Sequence, residues 1–161
     1  MTSFTDPLHI LDLAQTRAAL AIASLDGEQL DLPTPCDAWS VRDVINKLIA
    51  STLLFASFGR REQGDPRLDL IHPKEMLGND PLGAYSAAAT SCRDAWRVPG
   101  ALDGMATSTI GEAKAHSVLN ARIFDTTILS WDITVATSLP CLVDAEQGTY
   151  VLRVAKALVP A

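Results

Sequence analysis

The sequence predicts an all-α protein, an up-and-down bundle of four main helices with an additional C-terminal helix. Apolar residues recur at spacings of three and four over most of the 161 residues, as they do on the buried face of an amphipathic helix. Prolines and glycines are concentrated between these segments, where they interrupt helices. No segment shows the sustained alternation of apolar and polar residues that is typical of a half-buried strand. Helices joined by loops indicate a bundle.

The first two helices are predicted from their boundaries as well as from their apolar pattern. Pro7 fits the first turn of a helix over 7–25, because the backbone amide needs no partner there. Two prolines within 29–39 exclude a helix interior in that segment. Ser40 and Asp43 have the spacing of a capping box, which predicts the start of the next helix. This second helix is expected over 41–58, ended by Gly59.

The rest of the chain continues the helical pattern after a long polar loop over 59–80. Residues 101–112 contain two glycines and two threonines, which predict a loop or a short extended piece. We expect one domain over 1–161, which is long enough to bury a core. Three further helices are predicted, at 81–97, at 114–137 and, capped by Asp144, at 143–158.

The charge of the chain argues against nucleic acids and anionic membrane surfaces as partners. Thirteen Lys and Arg residues stand against nineteen Asp and Glu residues, a net charge of -6, and no basic block is present. Phosphate-rich partners select basic faces, so we expect a small organic molecule as substrate or ligand instead. Small helical bundles often pair through a helix face, and a homodimer is therefore among the expected assemblies.

Location and redox state follow from two further observations. The longest apolar-rich stretch, 48-LIASTLLFASF-58, is shorter than the roughly 20 residues needed to cross a bilayer. The N-terminus lacks the basic and apolar regions of a secretory signal, so a cytoplasmic protein is expected. Its three cysteines are widely spaced and form no metal-binding motif, which predicts reduced thiols.

Two segments carry more information than a helical pattern, 32-LPTPCDAWSVRDVINKL-48 and 125-DTTILSWDITVAT-137. In this order and spacing they resemble the DinB/YfiT-like superfamily, in particular its actinobacterial branch related to mycothiol-dependent maleylpyruvate isomerase. The first segment resembles a family motif that begins with PTPC and Trp-Ser-Val. The second resembles a motif in which a carboxylate and three further residues precede His-Gly-Trp-Asp. The resemblance implies a DinB-like four-helix bundle over 8–158.

The resemblance also implies a divalent metal ion inside the bundle. Its ligands would be a histidine of the second helix, and a carboxylate and a histidine of the fourth. At these three positions the sequence has Lys47, Asp125 and Leu129. A protonated lysine has no free lone pair, and leucine has no donor atom. Of the three side chains, only that of Asp125 can therefore coordinate a metal ion. The sequence therefore predicts no metal cofactor.

Asp125 and Asp132 are the candidate catalytic residues, together with Lys47. The two acids are seven residues apart in a helix, so they face the same side. A buried carboxylate needs a partner, and we expect a Lys47–Asp125 pair, joined by Asp132, at the floor of the former metal pocket. Alternatively, Lys47 extends to solvent at the rim, and Asp132 ties down a backbone group. The residues expected around the pocket are Leu54, Ile128, Leu129 and Trp131.

Three functions are compatible with these residues. The first is a metal-independent enzyme of isomerase, cyclase or lyase type in secondary metabolism, with Asp125 as general acid or base and Lys47 as its orienting group or oxyanion stabiliser. The second is a non-catalytic DinB-like protein that binds a ligand or partner. The third, implied by the resemblance, is a mycothiol-dependent or other thiol-dependent metal transferase or isomerase. The two missing histidines weigh against the third, and two acids with a lysine favour the first.

Overall fold

The computed structural model describes residues 6–158, and in them five α-helices and one short β-hairpin. The helices are α1 (Pro7–Ala23), α2 (Val41–Gly59), α3 (Pro81–Arg97), α4 (Ala115–Ala136) and α5 (Ala145–Leu158). The antiparallel hairpin consists of β1 (Met105–Ser108) and β2 (Gly111–Lys114), and a short 3-10 helix covers Gly27–Asp31. The predicted all-α fold class is confirmed, and the segment expected to be loop or extended forms the hairpin.

Side chains that bind backbone amides mark the starts of four helices. Ser40 and Asp43 form the predicted capping box at α2, in which each side chain accepts from the backbone amide of the other. Asp144 accepts from the backbone amide of Gln147 at the start of α5, as predicted. These caps satisfy amides that have no partner within the helix. The two remaining caps are Asp6 at α1 and Asp80 at α3.

Gly59 has a different role from the one predicted. It is still the last residue of α2, but the left-handed backbone conformation that follows the helix lies at Arg61, with φ 62°. A Cβ atom on Gly59 would lie 3.1 Å from the Cβ of Ala95 and 3.1 Å from the indole ring of Trp96. The absence of a side chain at Gly59 therefore lets α2 and α3 pack closely.

The four main helices form a closed arrangement in which α2 packs between α3 and α4, and α1 packs on the opposite side against the same two helices. Two hydrophobic clusters fill the interior. One surrounds Trp96 and Leu119 and lies towards the hairpin, and the other surrounds Ile45 and Ile133. Buried polar side chains also lie in the interior, among them Gln15, Ser51 and Arg122.

The C-terminal helix is attached to the bundle through polar contacts. The Gln147 side chain is fully buried and donates to the hydroxyl of Thr127 on α4 at 2.7 Å. Arg17 on α1 donates to both Gln147 and Asp144. The bond from Arg17, together with the one from the Gln147 backbone amide, holds the pKa of Asp144 below its ordinary value. The three cysteines are free thiols, as predicted. Among residues 6–158, no helix is both long and apolar enough to cross a membrane.

Candidate functional site

The predicted acids lie on the side of α4 that faces α2. Leu129 lies between them on the same stripe and is 5% exposed, so this stripe is directed at the neighbouring helix. The Asp125 side chain retains 32% of its surface, whereas Asp132 is 6% exposed. The two carboxylates therefore share a helix face but differ in their access to water.

Asp125 pairs with Arg122, which was not among the predicted site residues. Its Oδ2 lies 3.2 Å from Nη1 of Arg122, whose side chain is completely buried. The same guanidinium donates to the hydroxyl of Thr126 at 2.7 Å and to the hydroxyl of Ser51 on α2. It also lies over the ring of Phe55, 5.5 Å from the centroid. A buried cation thus joins α4 to α2 and compensates the Asp125 charge.

The predicted Lys47–Asp125 pair is not formed. The ammonium of Lys47 instead lies over the indole of Trp39, 4.9 Å from the ring centroid, in a cation–π contact. Lys47 is half-buried, so it is neither fully enclosed beside Asp125 nor fully extended into solvent, the two arrangements predicted from the sequence. Arg122 takes the place beside Asp125 because it is three residues away on the same helix, within side-chain reach.

Asp132 is the carboxylate that Lys47 influences. Burial raises the pKa of Asp132 above its ordinary value, and the positive charge of Lys47 partly opposes that rise. The side chain forms no hydrogen bond with residues 6–158, so the alternative in which it ties down a backbone group is not what the structure shows. We refer to Lys47, Ser51, Arg122, Asp125 and Asp132 as the α2–α4 seam.

Replacing Asp132 with asparagine is expected to raise the melting temperature at neutral pH. Because the folded-state pKa is raised above 3.8, the folded protein holds this proton more tightly than the unfolded chain does. Stability is therefore lost as the pH rises through the folded pKa, and asparagine avoids this loss. Thermal unfolding of both proteins between about pH 4 and about pH 8 should show a difference that grows with pH. Asp94→Asn, at an exposed acid, is the control, and a difference independent of pH would contradict the prediction.

The four predicted pocket residues do not line one cavity. Leu54 borders a cavity of about 610 Å³ with Phe58, the 63–68 loop and the hairpin. Trp131 is 42% exposed and lies in a separate depression beside Arg17 and Cys141. Ile128 is 39% exposed on the outer side of α4, and Leu129 is buried in the core. Leu129 shares the stripe of α4 that carries the acids, whereas Trp131 belongs to another part of the surface.

The residues at the three positions of the implied metal site do not fit a metal ion. Leu129 offers no donor atom, the Lys47 ammonium lies over Trp39, and Asp125 is engaged by Arg122. Within residues 6–158, no three His, Cys, Asp or Glu side chains are grouped as metal ligands. The seam instead contains a permanent cation, the guanidinium of Arg122.

Comparison with known proteins shows the family of the chain. The sequence profile described as the mycothiol maleylpyruvate isomerase N-terminal domain matches residues 11–134. An uncharacterised protein of Mycobacterium tuberculosis, found in two strains, is 27% identical over 154 residues, which cover 96% of this chain and 80% of the relative.

The crystal structures of the mycothiol-dependent maleylpyruvate isomerase and of a histidine-to-alanine mutant of it have the same fold. Each superimposes with a TM-score of 0.66 and 17% identity, over 98% of this chain and 72% of the other. At this identity the likeness establishes the helical fold, and the profile match establishes the relationship. The chain belongs to the family of mycothiol maleylpyruvate isomerase N-terminal domains, as its two motifs predicted.

Proposed function

We propose that the chain is a metal-independent enzyme of isomerase, cyclase or lyase type that acts on a small organic molecule at the α2–α4 seam. The observation that supports this most directly is the different environment of the two acids. Asp125 is held by a buried guanidinium and reaches the surface, whereas Asp132 is buried and its pKa is raised. Acids separated in this way by their environments are typical of acid–base catalysis.

The seam suits a reaction in which a proton is moved between two positions of a substrate. The Asp125 carboxylate would remove a proton from carbon, since Arg122 keeps that side chain oriented and charge-compensated. The negative charge that develops on a substrate oxygen would be stabilised by the ammonium of Lys47. Asp132, which keeps its proton to higher pH than an exposed aspartate, would return a proton to the substrate. Exchange of protons with water then restores the carboxylate of Asp125 and the protonated acid of Asp132, so the substrate is isomerised and no other reactant is consumed.

Family membership supports a small-molecule enzyme and favours a second candidate, a thiol-dependent isomerase or transferase. The matched profile covers 11–134, which includes the first motif, the second motif up to residue 134, and all five residues of the seam. The related crystal structure is that of a mycothiol-dependent enzyme. In this second candidate Lys47 would hold a thiolate at the seam, without a metal ion. A homodimer and a cytoplasmic location stay predictions.

The test of the proposed function is conversion of a panel of small carbonyl and carboxylic acids that can form an enolate. Asp125→Asn and Lys47→Ala should each lower kcat/KM by about 100-fold or more if these side chains take part in proton transfer. Asp94→Asn, which removes an exposed acid outside the seam, should have no effect on turnover. Circular dichroism at the assay temperature must show that each variant is folded, because Asp125 also compensates Arg122. Full activity in both seam variants would refute the assignment.

The same assay separates the rival functions. Conversion that requires added mycothiol or glutathione would support the thiol-dependent candidate. Tight binding of a compound without its conversion would support a non-catalytic ligand-binding protein. Elemental mass spectrometry of the purified protein, before and after incubation with zinc and nickel, tests metal independence. Retained metal near one equivalent would overturn it.

A further inference from the structure

A set of buried polar side chains extends across the interior of the bundle, and two of its members, Cys92 and Tyr85, belong one to each of the two hydrophobic clusters. Each main helix contributes to it: Gln15 from α1, Ser51 from α2, Tyr85 and Cys92 from α3, and Arg122 from α4. Each of the five residues is at most 2% exposed. We call this set the polar layer. Only Arg122 and Ser51 also belong to the α2–α4 seam.

Several atoms of the polar layer have no hydrogen-bond partner among residues 6–158. They are Nη2 of Arg122, the hydroxyl of Tyr85, and both Nε2 and Oε1 of Gln15. Burial raises the pKa of the Cys92 thiol to about 11, and the amide of Gln15 beside it acts in the opposite direction. That amide nevertheless makes no hydrogen bond of normal geometry. Buried polar atoms in native proteins nearly always have a partner. The charge of Arg122 acts on both Tyr85 and Cys92, and Gln15 lies beside Cys92, so the four atoms belong to one group of neighbouring side chains on three helices. We take such a group of unpartnered atoms as a sign of a binding site.

The charges of the layer decide what kind of guest fits. Arg122 is compensated by Asp125, Gln15 is neutral, and burial raises the pKa values of Tyr85 and Cys92, which keeps both neutral. A buried anion would leave an uncompensated negative charge in a medium of low dielectric constant. The guest must accept bonds from Arg122 and Gln15 and also donate one to Oε1 of Gln15. A neutral guest that both donates and accepts hydrogen bonds meets these requirements.

We propose that the polar layer is a buried site for a small neutral hydrogen-bonding guest and that its occupant is water. A buried water usually makes about three hydrogen bonds to polar groups that lack other partners, which Arg122, Gln15 and Tyr85 supply. The bound water joins α1, α3 and α4 through the same guanidinium that holds Asp125. This proposal does not depend on the proposed catalytic function, since its tests measure stability and structure alone.

The two tyrosines of the chain provide a matched test. The Tyr150 hydroxyl donates to Oδ1 of Asn120 at 2.6 Å, so Tyr150→Phe removes a hydroxyl with a known partner. Tyr85→Phe removes a hydroxyl that has a hydrogen-bond partner only if the guest is present. We expect both variants to lower the melting temperature by about 2–4 °C. If Tyr85→Phe leaves the melting temperature unchanged or raises it, the hydroxyl has no partner and the site is empty.

A second variant tests the same site from α1. Gln15→Leu replaces the amide with an apolar group of similar size, and removes both unpartnered atoms at once. With water bound, the variant should melt at a lower temperature, since the guest loses a donor and an acceptor. If the site is empty, the variant should melt at a higher temperature, because a buried amide without hydrogen bonds destabilises the fold more than an apolar group does. A rise in the melting temperature of Gln15→Leu would therefore overturn the proposal, as an unchanged or raised melting temperature of Tyr85→Phe would.

The identity of the guest is tested directly. A high-resolution crystal structure of the wild-type protein should show density within hydrogen-bond distance of Nη2 of Arg122, and none there would overturn the proposal. The melting temperature should be equal in chloride, nitrate and formate at one ionic strength. A rise that is specific to one anion and grows with its concentration would identify that anion as the occupant and overturn the assignment to water.

Discussion

Replacing Asp125 with alanine is expected to lower the free energy of unfolding by about 3 kcal/mol, because the substitution leaves a fully buried guanidinium without its carboxylate. Arg122 has no exposed surface, and Asp125 Oδ2 at 3.2 Å is the negative charge beside it. The hydroxyls of Ser51 and Thr126 would remain as partners, but they carry no compensating charge. Urea unfolding followed by circular dichroism measures the loss.

Replacing Arg122 instead of Asp125 is expected to change the free energy of unfolding much less. Methionine at position 122 fills a similar volume and brings no charge, and replacing a buried ion with an apolar group is often nearly neutral. Ser51 keeps a bond to the carbonyl of Leu48 at 3.3 Å, and Thr126 keeps one to the carbonyl of residue 122 at 2.8 Å. Asp125 is exposed enough to be hydrated. Arg122→Met should therefore cost about 1 kcal/mol or less.

The double variant Asp125→Ala, Arg122→Met shows whether the two side chains act as a pair. If Asp125→Ala lowers the free energy of unfolding because the Arg122 guanidinium loses its carboxylate, replacing Arg122 as well should restore most of the loss. The effects of the two substitutions on the free energy of unfolding will then not be additive. Costs that simply add would mean that the 3.2 Å contact contributes little. The double variant also serves the enzymatic test, since it should regain stability without regaining turnover.

The fold could be predicted from the sequence because its determinants are local. The capping box of Ser40 and Asp43 and the cap at Asp144 depend on residues three apart, so the sequence contains the whole interaction. The hairpin was only anticipated as loop or extended chain, since each of its strands has four residues, too few to show an alternating pattern. Gly59 was assigned to the right boundary for the wrong reason, because its contact with Trp96 joins distant parts of the chain.

The candidate site was predicted less completely because it depends on contacts between helices. The seven-residue spacing correctly placed Asp125 and Asp132 on one face of α4. The choice between Lys47 and Arg122 as partner of Asp125 required the distance between α2 and α4, which the sequence does not contain. The spacing of three between Arg122 and Asp125 was a usable signal, and an arginine in an otherwise apolar run was another. Trp131 was expected at the same pocket as Leu54, but it is 42% exposed and lies in a separate depression, which the apolar residues around most of α4 did not reveal.

Trp96 connects α3 to α2 through its indole ring. It is 1% exposed, and its indole N–H donates to the backbone carbonyl of Phe55 on α2 at 3.0 Å. The flat ring lies against Gly59, where even a methyl group would be in tight contact. The indole therefore fills the space left by the missing side chain and holds the two helices at a short distance.

Trp96→Ala is expected to lower the free energy of unfolding by about 3–5 kcal/mol, because it removes a large buried ring and leaves a cavity that Gly59 cannot fill. For a chain of this size the melting temperature should fall by roughly 6–20 °C. Trp131→Ala is the matched control, since that tryptophan is 42% exposed and should cost about 1 kcal/mol or less. Thermal and urea unfolding of both variants compare the two sites. Equal losses would show that the close approach of α2 and α3 at Gly59 does not depend on the Trp96 ring.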